Sequence, residues 1–126
     1  MENITAMVYN RFSHADVIEP LAENEKECLE EIRCILTKYD KLDRFGITLL
    51  HKHFELFNDE ILIETTDEET RQQIIQPMKK SDLDLIDGSI LETSWALKNS
   101  ETLVVCQRSC VKQDHGHYSG VHVKTF

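Results

Sequence analysis

The feature that most limits the fold of this chain is an apolar stripe over residues 25–39. Leu29, Ile32, Leu36 and Tyr39 recur there at helical spacing, between charged side chains. An apolar stripe of this kind must be covered by a second layer of structure. The stripe therefore predicts an amphipathic helix that packs against another element of the chain.

After this helix the apolar residues change to the alternation that is typical of strands. Residues 45–57 and 60–66 predict a hairpin around Asn58 and Asp59, and residues 66–76 predict a second, short helix. Further strands are predicted over residues 89–97, 102–106 and 120–126. This order predicts an α+β fold, in which one long N-terminal helix packs on a mainly antiparallel sheet of about five strands. The second face of the sheet is either partly open or curled into a half-barrel.

The length and composition predict one domain over residues 1–126. A chain of 126 residues has the size of one ordinary domain, and at 40% hydrophobic residues it can bury a core without disulfides. The four cysteines are expected to stay reduced, because the N-terminus has no signal-peptide pattern. We therefore expect a cytoplasmic protein.

The net charge of −9 restricts the classes of partner. Phosphate backbones and anionic lipid surfaces attract basic proteins, and this chain has no long basic run. No apolar run approaches the ~20 residues of a membrane span. We expect neither nucleic acid nor membrane as a partner, whereas a protein partner is compatible with the composition. The sequence does not specify an oligomeric state.

Histidine and cysteine are concentrated in two short segments, 51–53 and 106–122. Together these segments hold five of the six histidines and two of the four cysteines. Side chains two apart on a strand share one face, so the two histidines of the first segment are expected to lie side by side. The candidate metal ligands are His51, His53, Cys106, Cys110, His115, His117 and His122.

This ligand chemistry predicts a small metal-binding domain with zinc, or another transition metal, as its cofactor. The preferred ligands are His51, His53 and Cys106, completed by Cys110 or His117. A structural site needs four ligands and a catalytic site three, so the sequence leaves the role of the metal open. The spacing of the two cysteines is C-x3-C, which is less diagnostic than C-x2-C.

Two other functions fit the same residues. Cys106 or Cys110 could be the nucleophile of a cysteine-dependent enzyme, with His53 or His117 as the base and Asp114 as the orienting group. No protease signature surrounds either cysteine. Alternatively, the chain is an acidic protein–protein interaction domain that binds through its sheet edges or its Glu-rich helix.

Overall fold

A mixed four-stranded sheet dominates the computed structural model of the chain, which describes residues 4–108. The sheet order is β2-β1-β4-β3, with β1 antiparallel to β2 and parallel to β4, and β4 antiparallel to β3. The elements are α1 (Ile4–Asn10), α2 (Glu23–Lys38), β1 (Glu60–Asp67), β2 (Gln72–Lys79), a 3-10 helix (Lys80–Leu85), β3 (Ile90–Ala96) and β4 (Glu101–Gln107).

The described chain divides into two compact units. We call Phe12–His53 the helical unit, since its only regular element is α2. The sheet unit comprises α1, the four strands and the 3-10 helix, and its described part is residues 4–11 and 54–108. The expectation of one domain over residues 1–126 stays a prediction.

The predicted α+β class is confirmed, but the finer architecture is wrong. The described residues form three short helical segments in place of one long N-terminal helix, and the helix that contacts the sheet is α1. The sheet has four strands and mixed direction where about five mainly antiparallel strands were predicted, and it is no half-barrel. The strand predicted over 120–126 lies outside the described residues.

Two local predictions failed for identifiable reasons. Apolar and polar residues alternate over 45–57 as they do in a strand, yet this segment pairs with no strand of the sheet. A single bridge joins Lys52 to His14. Residues 66–76 contain a turn in place of a helix start. The Asp67 carboxylate accepts the backbone N–H groups of Glu69 and Thr70 at 3.1 and 3.3 Å, and β2 begins directly after this turn. The side chain thus stabilises the turn, which competes with helix formation.

One cluster in the core of the sheet unit is built from residues of its two central strands. Ile63 and Val105 are partners in the parallel β1–β4 register and therefore share a face, which Ile61 continues two residues earlier. Ile63 is completely buried, with 0% of its surface exposed. Half-buried side chains from the surrounding elements pack against this cluster: Met78, Leu83, Ile86 and Ile90.

The N-terminal helix is tied to the sheet unit by specific hydrogen bonds. The Asn10 side-chain amide donates to the Leu56 carbonyl at 2.9 Å and accepts from the Leu56 N–H at 2.8 Å. The Thr5 hydroxyl, which is fully buried, donates to the Glu101 carboxylate on β4. A short helix that would be marginal alone is thereby held in place by tertiary contacts.

Both edge strands of the sheet are modified in ways that oppose pairing with a further strand. The Lys80 N–H donates to the Asp59 carbonyl at 2.8 Å, so these two residues form a hydrogen-bonded pair. Hydrogen-bonded and non-hydrogen-bonded pairs alternate along an antiparallel ladder. Leu62 and Pro77, three positions further along, therefore form a non-hydrogen-bonded pair. The nitrogen of Pro77, which has no hydrogen, then points to the open side of β2. The β3 register is interrupted twice between Glu92 and Trp95. Prolines and bulges of this kind protect edges from strand addition.

We predict that Ile63→Ala lowers the free energy of unfolding by about 2–5 kcal/mol, because it opens a cavity at a fully buried site. Ile75→Ala on β2 is the matched control, since Ile75 is 50% exposed and should cost no more than ~0.5 kcal/mol. Urea denaturation measures both values. Equal losses for the two variants would contradict the assignment of the core.

Candidate functional site

The predicted metal-binding function is contradicted in the described chain. Among residues 4–108, no group of three or more histidine, cysteine, aspartate or glutamate side chains could hold a metal ion. The other proposed ligands, Cys110, His115, His117 and His122, lie outside the described residues. We therefore correct the prediction of a zinc-binding domain.

His51 and His53 do lie side by side, as their spacing predicts. Their ring centroids are 5.0 Å apart in an edge-to-face arrangement, although neither residue belongs to a strand of the sheet. A third ring, that of His14, was not predicted at this place; its centroid is 6.5 Å from that of His53. No local pattern around His14 predicts this approach, because the contact spans 39 residues of chain.

The hydrogen bonds of these rings indicate a structural role. A ring nitrogen of His14 donates to the His53 carbonyl at 3.1 Å, and one of His51 donates to the Leu49 carbonyl at 2.7 Å. Backbone bonds in both directions between Ser13–Ala15 and Lys52 lie beside them. The His14 ring therefore helps to fasten the two ends of the helical unit to each other, whereas the bond of the His51 ring is local.

Cys106 is buried in β4, and its side chain is a neutral thiol, whereas a cysteine nucleophile must be a thiolate. Its thiol donates to the Glu64 carboxylate, with Sγ 3.7 Å from Oε2. Burial, followed by the negative charge of Glu64 and this hydrogen bond, raises the pKa of Cys106 to about 11, although Arg108 acts in the opposite direction. A thiol with this pKa is protonated at neutral pH and unreactive. The described geometry does not favour a cysteine-dependent enzyme built on Cys106.

The helical unit shows a different feature, which is the absence of a core. None of its residues, Phe12 to His53, is buried. The stripe residues Leu29, Ile32 and Leu36 are only half-buried. A helix with an apolar stripe usually gains its stability by burying that stripe, so this helix is incompletely covered.

An open groove runs between α2 and the segment that returns beside it. Its volume is about 340 Å³, and it is lined by Leu21, Glu25, Cys28, Leu29, Ile47, Thr48 and Leu49. Ile47 and Leu49 are 59% and 47% exposed, although both are aliphatic. Both residues lie in the segment 45–57 that was predicted as a strand, so the groove, which depends on where this segment returns, was not predicted.

Local interactions explain why α2 begins and ends where it does. The Glu25 carboxylate accepts the Ala22 N–H at 2.8 Å and satisfies a free donor at the N-terminus. At the C-terminus, Asp40 adopts a left-handed conformation with φ of 56°. The N–H groups of Asp40 and Lys41 then donate to Thr37 and Leu36, at 3.0 and 2.8 Å, which closes the helix in a Schellman arrangement. The groove therefore has a well-defined helical wall.

Comparison with known proteins provides no relative from which a function could be transferred. No protein-family model, no curated protein and no solved structure matches the chain. Within residues 4–108, no helix has the length and apolar content needed to cross a membrane. A functional assignment must therefore rest on the groove and the exposed surface of the helical unit.

We predict that titration of Cys106 destabilises the protein in alkali. Because its folded-state pKa is raised, the contribution of the neutral thiol is fully present below the ordinary value of 9.0 and is lost as the pH rises through about 11. Thermal melting between pH 8 and pH 11.5 should show a steeper loss for the wild type than for Cys106→Ser. Parallel pH profiles of the two proteins would contradict a buried, neutral thiol.

Proposed function

We propose that the chain is a protein-interaction domain whose helical unit binds a protein partner through the groove beside α2. The observation that carries this proposal is the lack of any buried residue between Phe12 and His53. Compact units of about 40 residues usually need disulfides, metals or association for stability, because they bury too little surface. Cys28 and Cys34, the two cysteines of this unit, are free. Association with a protein is therefore the source of stability that we propose for this unit.

The exposed apolar side chains around the groove support a protein partner. Several large apolar residues of the helical unit stay 42–63% exposed: Leu21, Ile35, Tyr39, Leu42, Phe45, Ile47, Leu49 and Leu50. Exposed apolar side chains occurring singly need no explanation, but a concentration of them in one unit is typical of an interaction surface. A helix beside an open apolar groove is also a common way to bind another helix.

The edges of the sheet are less suitable for binding. The interaction-domain hypothesis named both the sheet edges and the Glu-rich helix as binding surfaces. Pro77 removes a donor from the outer side of β2, and the irregular register of β3 disturbs the opposite edge. A partner that adds a strand would lose main-chain hydrogen bonds at both edges. The groove of the helical unit is therefore the better binding surface.

We predict that Leu49→Asp reduces binding of the partner at least tenfold, since it places a charge in an apolar groove. The matched control is Ile75→Asp, which introduces the same charge at a similarly exposed residue of the sheet unit. Tagged full-length proteins would be used to capture partners from the native cells, with identification by mass spectrometry. Circular dichroism checks that both variants are folded.

Retention of the same partners by Leu49→Asp and by the wild type would overturn the proposed function. Loss of those partners in both variants would also count against it, because the groove would then not be the binding surface. The expected result is loss in Leu49→Asp alone.

A further inference from the structure

We infer that the groove beside α2 binds a basic amphipathic helix of the partner, with apolar side chains in the groove and a lysine or arginine on Glu25. This inference rests on the proposed function and specifies the chemistry of the partner. Three observations carry it: one charged side chain within an apolar groove, the unpaired state of that side chain, and the acidic sequence around it.

Glu25 differs in character from the rest of the groove. Among the described residues that line the groove, it is the one that carries a charge. The others are aliphatic side chains, one thiol and one threonine hydroxyl, with no lysine, arginine or histidine among them. Pockets of this kind hold an apolar body, and their few polar groups decide what else the ligand must carry. The groove therefore selects an apolar group with a positive charge beside it.

The negative charge of Glu25 is not neutralised by the described chain. Its Oε1 accepts the Ala22 N–H at 2.8 Å, and its Oε2 has no hydrogen-bond partner within the described residues. Glu23 and Glu30, in contrast, are already paired with basic residues of the same helix. A cation of the partner can therefore bind Glu25 without displacing an existing ion pair.

The positive end of the α2 dipole opposes binding of a cation here, but it is outweighed. The dipole contributes roughly half a positive charge at the N-terminus of a helix. Residues 19–31, which include this end of α2, contain six glutamates and one lysine. The potential around the groove is therefore negative. A negative potential attracts basic partners and disfavours acidic ones, so charge complementarity specifies the partner.

The size of the groove limits what the partner inserts. Its volume of about 340 Å³ lies near the lower end of the range for ligand pockets, which is ~300–1,000 Å³. A space of this size takes the anchoring side chains of one segment. An amphipathic helix supplies such anchors at positions i, i+3 or i+4 and i+7, and its polar positions can carry the basic residue that binds Glu25.

The first test uses two synthetic helical peptides with leucine at the same positions. One carries lysine and the other glutamate at every polar position, and fluorescence anisotropy measures their binding to the full-length protein. We expect the lysine peptide to bind at least tenfold more tightly, with an affinity that falls as salt is added. Equal affinities, or no binding of the lysine peptide at high micromolar concentration, overturn the inference.

The second test separates the charge of Glu25 from the net charge of the chain. Glu25→Gln removes the charge and keeps an oxygen for the Ala22 N–H, since glutamine is also accepted at this capping position. Glu27→Gln is the matched control, because it makes the same change ~200° round α2 from Glu25, outside the residues that line the groove.

Glu25→Gln should weaken binding of the lysine peptide at least threefold, and Glu27→Gln by less than twofold. Circular dichroism checks that both variants keep the helix content of the wild type. Equal losses in the two variants would show that the peptide follows the net charge of the chain, and would overturn the inference.

The inference and the proposed function can fail separately. If Leu49→Asp abolishes capture of a partner from the native cells while Glu25→Gln and added salt do not affect it, the proposed function stands and the basic partner is excluded. If neither variant changes the captured partners, both proposals are wrong.

Discussion

The structure depends on where apolar side chains can be removed from water. In the sheet unit this requirement is met by Ile61, Ile63 and Val105, which are brought to one face by the parallel pairing of β1 and β4. In the helical unit it is not met, because none of its residues is buried. Since burial of apolar surface is the main favourable contribution to folding, the two units differ in what stabilises them. The sheet unit holds its own core, whereas the helical unit has no buried residue.

This difference also separates the residues that stabilise the fold from those that can act on other molecules. Cys106 and the pair His51–His53 attract attention in the sequence, yet the structure gives each a stabilising role. Cys106 is a buried neutral thiol bonded to Glu64. The His51 ring donates to the Leu49 carbonyl, and the His53 carbonyl accepts from the ring of His14. The surface available for binding is formed by aliphatic side chains that carry no distinctive chemistry.

Structural features that depend on a local pattern of residues could be predicted from the sequence. Features that depend on contacts between distant residues could not. The stripe around Ile32 corresponds to the helix Glu23–Lys38, and the apolar runs near Ile90 and Val105 correspond to β3 and β4. The segment 45–57 has strand-like alternation but finds no strand partner within the sheet. The approach of His14 to His53 joins residues far apart in the chain. The raised pKa of Cys106 arises from burial in the folded sheet and then from Glu64 on another strand. The groove was unpredictable for the same reason, since its two walls are separate segments.

Amide hydrogen exchange of the purified protein tests most directly whether the two units differ in what stabilises them. The backbone N–H groups of β1 should be strongly protected, because they belong to a unit with its own core. Those of α2 should exchange at least tenfold faster than those of β1, because none of the side chains of the helical unit is buried. Protection of α2 as strong as that of β1 in the purified protein would contradict this account.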